Sequence, residues 1–254
     1  VLSNVERQHE LIRLLERQGR LSVAEICAAY SVSEATARRD LDALAGQGLL
    51  QRVHGGAITV RRADPEMPML DRRQEQADEK RRIGLAAAQL VQDGETAFLG
   101  SGTTVLELAR HLRSRRNLTI ITNSLPVVNT LAGLPEISVI VVGGMLRDSE
   151  LSFIGHIAEQ ALAEVRADKV IIGVRALSLE HGLTNDYLPE TLTDRAILAV
   201  GREVILVADH TKLGAVAPAV LAPLTSVHTL VTDSQINAEF LGALREHGTR
   251  VIVA

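Results

Sequence analysis

Six short apolar runs most restrict the folds open to this 254-residue chain: TAFL at 96–99, LTIIT at 118–122, SVIVVGG at 138–144, KVIIGV at 169–174, EVILVA at 203–208 and HTLVT at 228–232. Their Val, Ile and Leu content is nearly continuous instead of alternating with polar residues. Strands buried on both faces have that composition, and both faces are covered when helices carry the chain between parallel strands. Helical period falls between the runs, over Thr104 to Leu112, Pro126 to Leu131, Ala158 to Val165, Leu192 to Gly201 and Gln235 to His247, before a last short strand, RVIVA. The expectation is a larger Rossmann-like, mostly parallel α/β domain over 76–254, with ligands at the C-terminal ends of its strands.

Residues 1–60 follow another plan. Leu11, Ile12, Leu14 and Leu15 lie at helical spacing, and Gly19 ends that helix. Ser22 with Glu25 forms a capping box for a short second helix, and Ser33 caps a third through Ala45, with Leu41 and Leu44 inward. Gly46 and Gly48 close the third helix. A strand over Leu49 to Val53, a His54-Gly55-Gly56 turn and Ala57 to Thr59 then read as a wing. The whole is a winged helix-turn-helix, whose third helix enters a major groove. Ser33, Glu34, Thr36, Arg38 and Arg39 occupy its first turns, one Arg for a base edge and the other for phosphate, with Asp40 orienting an Arg. Arg52 and His54 on the wing lie beside backbone phosphates. Residues 61–75, with Pro65 and Pro68 and no clean period, read as a linker.

The strand-end loops of the second module point to an anion. Gly100-Ser101-Gly102-Thr103-Thr104 joins a strand to a helix, offering amides and hydroxyls at the helix start. Asn123 and Ser124 end the next strand, Gly143 and Gly144 make another close turn, and Asp209 and Lys212 follow EVILVA. A phosphate or phosphosugar fits that set. The dinucleotide fingerprint and the P-loop pattern are absent, so no nucleotide cofactor is expected.

At these residues the chain resembles the DeoR family of bacterial transcription regulators. Residues 5–57 carry the resemblance in SEATARRD (33–40), Leu41, Leu44, Gly48, Leu50, Arg52 and the HGGA of His54 to Ala57. Residues 75–246 carry it in Glu79-Lys80, GSGTT, TNS, Gly143-Gly144, Gly155, Asp168-Lys169 with the following IIG, Gly182-Leu183-Thr184 and ADHTK. The resemblance implies a sensor domain similar in fold to ribose-5-phosphate isomerases and CoA-transferase relatives, binding phosphorylated sugars or related metabolites. It puts phosphate on Ser101, Gly102, Thr103 and Thr104, with Asn123, Lys212 and Lys80 around the remainder. Two departures stand out: Gly100 where members often have an acidic residue, and GVRALSLEHG at 173–182, which brings Arg175 in as a second charge contact.

Composition limits the alternatives. Residues 1–62 hold nine Arg against seven carboxylates, while the chain as a whole is at −4, so a basic surface belongs to the first module. Aromatics are 2% and Trp is absent, which disfavours single strands and RNA and leaves duplex DNA. The single Cys27 forbids an internal disulfide or a thiolate zinc cluster and reads as a core residue. The histidines are too scattered to argue for a metal, although His210 lies near the expected pocket. No run spans a membrane and no signal segment opens the chain, so the cytoplasm is expected. The favoured function is a carbohydrate-responsive repressor, a dimer or higher homo-oligomer on operator DNA. The alternatives are a phosphosugar isomerase-like enzyme using Asp186, Glu190 or Asp209, and a ligand-independent DNA-binding protein.

Overall fold

The computed structural model describes residues 3–47, 49–53, 55–59, 61–63 and 67–254. Helix α1 (Asn4–Gln18) opens on a reciprocal box: Glu6 N–H donates to Ser3 Oγ and Ser3 N–H to the Glu6 carboxylate. Gly19, at φ 72°, ends it. A three-residue strand, β1 (Arg20–Ser22), leads into α2 (Val23–Tyr30), with Ser22 and Glu25 as its box. Such caps contribute about 1 kcal/mol each, a large share of the stability of an eight-residue helix. Ser31, at φ 52°, turns the chain toward α3 (Glu34–Gly46), which Ser33 caps. Strands β2 (Leu50–Val53) and β3 (Gly56–Thr59) form the expected hairpin, and β1 pairs with the other edge of β3. No period announces β1, because three residues between two helices are too few to show one.

Leu11, Leu15, Leu21, Ile26, Ala37, Leu41, Leu44 and Leu50 make the core of this module, with Cys27 partly buried against it. Asp40 also faces inward and holds Arg7 of α1: Arg7 Nε donates to Oδ2 at 2.5 Å and Nη2 to Oδ1 at 3.1 Å. The two side chains are 10% and 3% exposed, so this is a buried ion pair.

Along the stretch read as a linker, β4 (Arg61–Arg62) pairs in parallel with Ala215 and Val216 of the second module. Further on, Met69 is fully buried and its N–H donates to Ser149 O at 2.7 Å. Helix α4 (Ala77–Ala88) then precedes β5 (Thr96–Leu99), α5 (Thr103–Leu112), β6 (Leu118–Thr122), α6 (Leu125–Leu131) and β7 (Ile137–Val141). A hairpin of β8 (Met145–Arg147) and β9 (Ser152–Ile154) follows, then α7 (His156–Ala163), β10 (Ala167–Ile172), β11 (Ala176–Ser178), β12 (Gly182–Asn185) and α8 (Leu188–Leu198). The chain closes with β13 (Gly201–Val207), β14 (Ala215–Val216), β15 (Ala219–Ala222), β16 (Thr229–Thr232), α9 (Ala238–Glu246) and β17 (Arg250–Val253).

Seven strands make one fully parallel sheet, in the order β17-β16-β13-β10-β5-β6-β7. Period two divides its side chains between two cores: Phe98 and Leu206 face one with Phe240 and Leu244, while Leu99 and Ile205 face the other with Ile83 and Leu108. From β5 the chain moves out one way through β6 and β7, then returns to β10 and proceeds the other way. The order therefore reverses between β5 and β10, where a crevice opens at the strand C-termini.

Several boundaries differ from the sequence expectation. Helix α8 starts at Leu188, not Leu192, because Pro189 sits in the first turn, where its missing N–H costs nothing. Helix α9 starts after Asn237, whose side chain accepts from Glu239 and Phe240 N–H. Helix α7 starts two residues earlier than expected, after Gly155. The segment read as a GVRALSLEHG loop contains β11, part of a small sheet with β12 and β15. Among the described residues no helix is long and apolar enough to cross a membrane.

Helices α4 and α5 touch backbone to backbone at Gly84, where a Cβ would lie 2.7 Å from Leu108 N and 2.8 Å from the Glu107 carbonyl carbon. Gly84→Ala is therefore expected to destabilise by about 1–3 kcal/mol through overpacking. A lowered midpoint of urea denaturation checks this, and an unchanged midpoint would mean that the helices separate freely.

Candidate functional site

The first candidate surface is the outer face of α3. Ser33, Glu34, Arg38 and Arg39 are exposed and Thr36 half-buried, while Ala37, Asp40, Leu41 and Leu44 lie beneath. Thr36 N–H donates to Ser33 Oγ at 3.3 Å, and the two hydroxyls are 3.0 Å apart. Arg38 makes an exposed 3.2 Å pair with Glu34 one turn earlier, a contact worth little in water and readily exchanged for phosphate or base. Arg39, the next residue, is also exposed. Arg52 is more constrained: its Nη1 donates to Gly56 O at 2.7 Å and its Nε lies 2.9 Å from Asp42. His54 falls outside the described residues.

The second candidate is an open cleft at the switch between β5 and β10. One end is built around the start of α5. Gly102, at φ 109°, starts α5 without any side-chain cap, so the first N–H groups of that helix have no intrahelical partner and face the cleft with Ser101, Thr103 and Thr104. Gly100 N–H closes the ladder on Ile171 O. Lys80, buried on α4 with Nζ donating to Arg72 O at 2.8 Å, and Lys212, after β13, line the same end. Burial pushes both ammonium pKa values below the ordinary lysine range, while Asp209 pulls them back. Asp209 accepts Thr211 N–H at 3.0 Å and so caps the turn that carries Lys212. An anion here would meet two cations already partly stripped of water.

The opposite wall is acidic but compensated. Arg72 pairs with Glu150, and Arg147 with Glu190, which also accepts from Ser152 Oγ at 2.9 Å. Arg147 stacks over the Tyr187 ring at 4.6 Å. Asp194 accepts from Asn185 Nδ2 at 2.8 Å, and Asn185 Oδ1 accepts Arg175 N–H at 3.2 Å. The Arg175 guanidinium lies 2.6 Å from the Asp186 carboxylate. Burial pushes the Asp194 pKa up to about 7; Arg147 opposes that shift, and Glu150 adds to it.

Of the residues singled out for the effector, Lys80, Gly100, Ser101, Gly102, Thr103, Thr104, Arg175, Asp209 and Lys212 line this cleft. Asn123, Ser124, Gly143 and Gly144 do not. Beyond the end of β6, Asn123 Nδ2 donates to Phe153 O at 3.1 Å, and Ser124 bridges to Ser152, so the β8–β9 hairpin covers both. Gly144 is packed against the Ile154 carbonyl. His210 turns away to Asp233, with Nδ1 3.0 Å from Oδ1. The cleft also contains Arg72, Glu150, Asn185 and Asp194, which no motif marks. The one available signal was on α8, where Glu190 and Asp194 are four residues apart and share a helix face.

A winged helix-turn-helix with an open charged face, joined to a parallel α/β domain with a charged cleft at its switch point, defines a class: DNA-binding regulators that sense a small molecule. Residues 7–63 match the DeoR-like helix-turn-helix domain and residues 75–234 the DeoR C terminal sensor domain; the chain belongs to the DeoR family of transcriptional regulators. It is 36% identical over 233 residues to the transcriptional repressor AccR of Agrobacterium fabrum, covering 91% of this chain and 90% of that one. It is 33% identical to the glycerol-3-phosphate regulon repressor of Escherichia coli, covering 97% of each. Among solved structures, ribose 5-phosphate isomerase A of Methanocaldococcus jannaschii aligns with a TM-score of 0.41 at 20% identity over 55% of each chain.

Proposed function

We propose that the protein is a cytoplasmic repressor of carbohydrate metabolism genes, released from operator DNA when a phosphorylated sugar or related metabolite enters the cleft. The observation that carries this reading is the anion cradle, in which the uncapped start of α5 faces the buried Lys80 and the half-buried Lys212. Residues 1–60 serve as the DNA reader, 61–75 as the joint and 76–254 as the sensor and assembly module. Ser33, Glu34, Thr36, Arg38 and Arg39 meet the duplex, with Arg52 firming the wing. Lys80, Gly100 to Thr104 and Lys212 take the phosphoryl group, Asp209 holds the turn, and Arg175 lies on the way to the far wall. One helix-turn-helix reads few base pairs, so two or more copies act together on paired half-sites. A regulatory role rather than turnover is supported by the acids first in line for catalysis: Glu190 is neutralised by Arg147, and Asp209 caps its own turn.

The test uses a duplex that the protein selects from a random library, with fluorescence anisotropy read against sugar phosphates. Release by a sugar phosphate is expected, with Lys212→Ala requiring about 10–100 times more of it, the worth of one charge-assisted contact. Product formation would favour an enzyme, and tight binding indifferent to every ligand would leave only a DNA-binding protein. On the same duplex, Arg38→Ala and Arg39→Ala are each expected to cost about 1–3 kcal/mol. The variant that has lost a phosphate contact weakens every sequence alike and flattens the salt slope by about 1, while the one that has lost a base contact relaxes sequence preference at a single position. Wild-type affinity in both would remove α3 from the interface.

A further inference from the structure

We propose that Asp194 is the specificity residue of the cleft, reading hydrogen-bond donors at the end of the effector remote from its phosphoryl group. This rests on the cradle binding phosphate and goes further by defining the rest of the ligand: a monophosphate whose far end carries hydroxyl or amino groups, not a second phosphoryl or carboxylate.

Two features of the cleft lead to this. First, positive charge is concentrated at one end. Lys80 and Lys212 stand with the α5 amides, whereas toward Asp194 the arginines of the cleft are matched to carboxylates within the protein, Arg72 to Glu150, Arg147 to Glu190 and Arg175 to Asp186. A second anion at that end would meet Glu150, Glu190 and Asp194 with no surplus of positive charge. Second, Asp194 is held from behind. Asn185 is fixed by the Arg175 N–H and presents its amide to Asp194 Oδ2, while α8 points Asp194 and Glu190 into the same cleft. A carboxylate in that setting accepts from hydroxyls or an ammonium group and repels an acid. Its protonation adjusts to the ligand, since burial and Glu150 disfavour the ionised form while Arg147 and the Asn185 amide favour it.

Calorimetry on the full-length protein with matched ligands tests the proposal: inorganic phosphate, glucose 6-phosphate against 6-phosphogluconate, fructose 6-phosphate against fructose 1,6-bisphosphate, and glucosamine 6-phosphate. The neutral or amino-ended member of each pair is expected to bind at least about tenfold tighter. Asp194→Asn is expected to narrow that gap while leaving inorganic phosphate within about twofold. Between pH 6 and 8 the amino sugar is expected to gain on glucose 6-phosphate as Asp194 ionises. Tighter binding of the bisphosphate or the sugar acid overturns the proposal, as does an Asp194→Asn variant that weakens phosphate and sugar phosphates equally. If that variant does not fold, the wild-type ranking decides alone. Phosphate binding with no preference between pair members removes this proposal and leaves the cradle standing; binding of none of the ligands removes both.

Discussion

Asp40→Ala is expected to destabilise the DNA-reading module by about 3–5 kcal/mol and to abolish operator binding while leaving the sensor cleft competent. Asp40 takes two N–H groups of Arg7, whose pKa it raises, chiefly through that hydrogen bond. A guanidinium does not shed its proton in a protein, so losing Asp40 strands a charge in the seam between α1 and α3. The module is small and its stability correspondingly slim, so a loss of this size melts it. The measurement is thermal unfolding with operator anisotropy. A variant that unfolds and binds like the parent would show that the pair carries no weight. The double replacement Arg7→Met with Asp40→Leu should recover most of the stability, because an apolar pair of similar volume avoids the desolvation cost of both ions.

The second large effect depends on pH. Asp194 has its pKa raised from 3.8 to about 7 by burial, so the folded protein holds that proton more tightly than the unfolded chain does. Its stabilising contribution is complete below the unfolded value and is lost as pH rises through about 7. Asp194→Asn cannot ionise and escapes that loss. Relative to the parent it should gain on the order of 2–4 kcal/mol between about pH 4 and pH 8, read from urea denaturation at several pH values. Parallel pH profiles for the two proteins would sink the assignment. A ligand that donates to Asp194 acts in the opposite sense, stabilising the ionised form and restoring stability at alkaline pH.

What the sequence disclosed depended on the range of the interaction concerned. Ser22, Ser33 and Glu25 act on residues three positions away, so the helices of the first module could be placed from their caps. The β-branched runs betray a parallel sheet because burial on both faces leaves a composition that needs no knowledge of neighbours. The Gly100–Thr104 turn was legible for the same reason. Asn123 and Ser124 misled: polar strand ends look alike in sequence, and only the β8–β9 hairpin, itself six residues of strand, determines which are covered. The link from Arg7 to Asp40 joins positions 33 apart, and the acidic wall assembles from separate segments around 150, 185 and 194. Contacts of that span leave no local pattern.

The short parallel ladder between β4 and β14 ties the stretch after the wing to the sensor. Lys212 stands three residues before Ala215, and Ala215 pairs with Arg61, two residues past the end of the wing strand. A guest that draws the lysine inward would therefore pull on a tether made of main-chain hydrogen bonds, whose far end is the base of the wing. Signal and response would then share one short strap of peptide, and its slack would set how much of the ligand's grip reaches the groove.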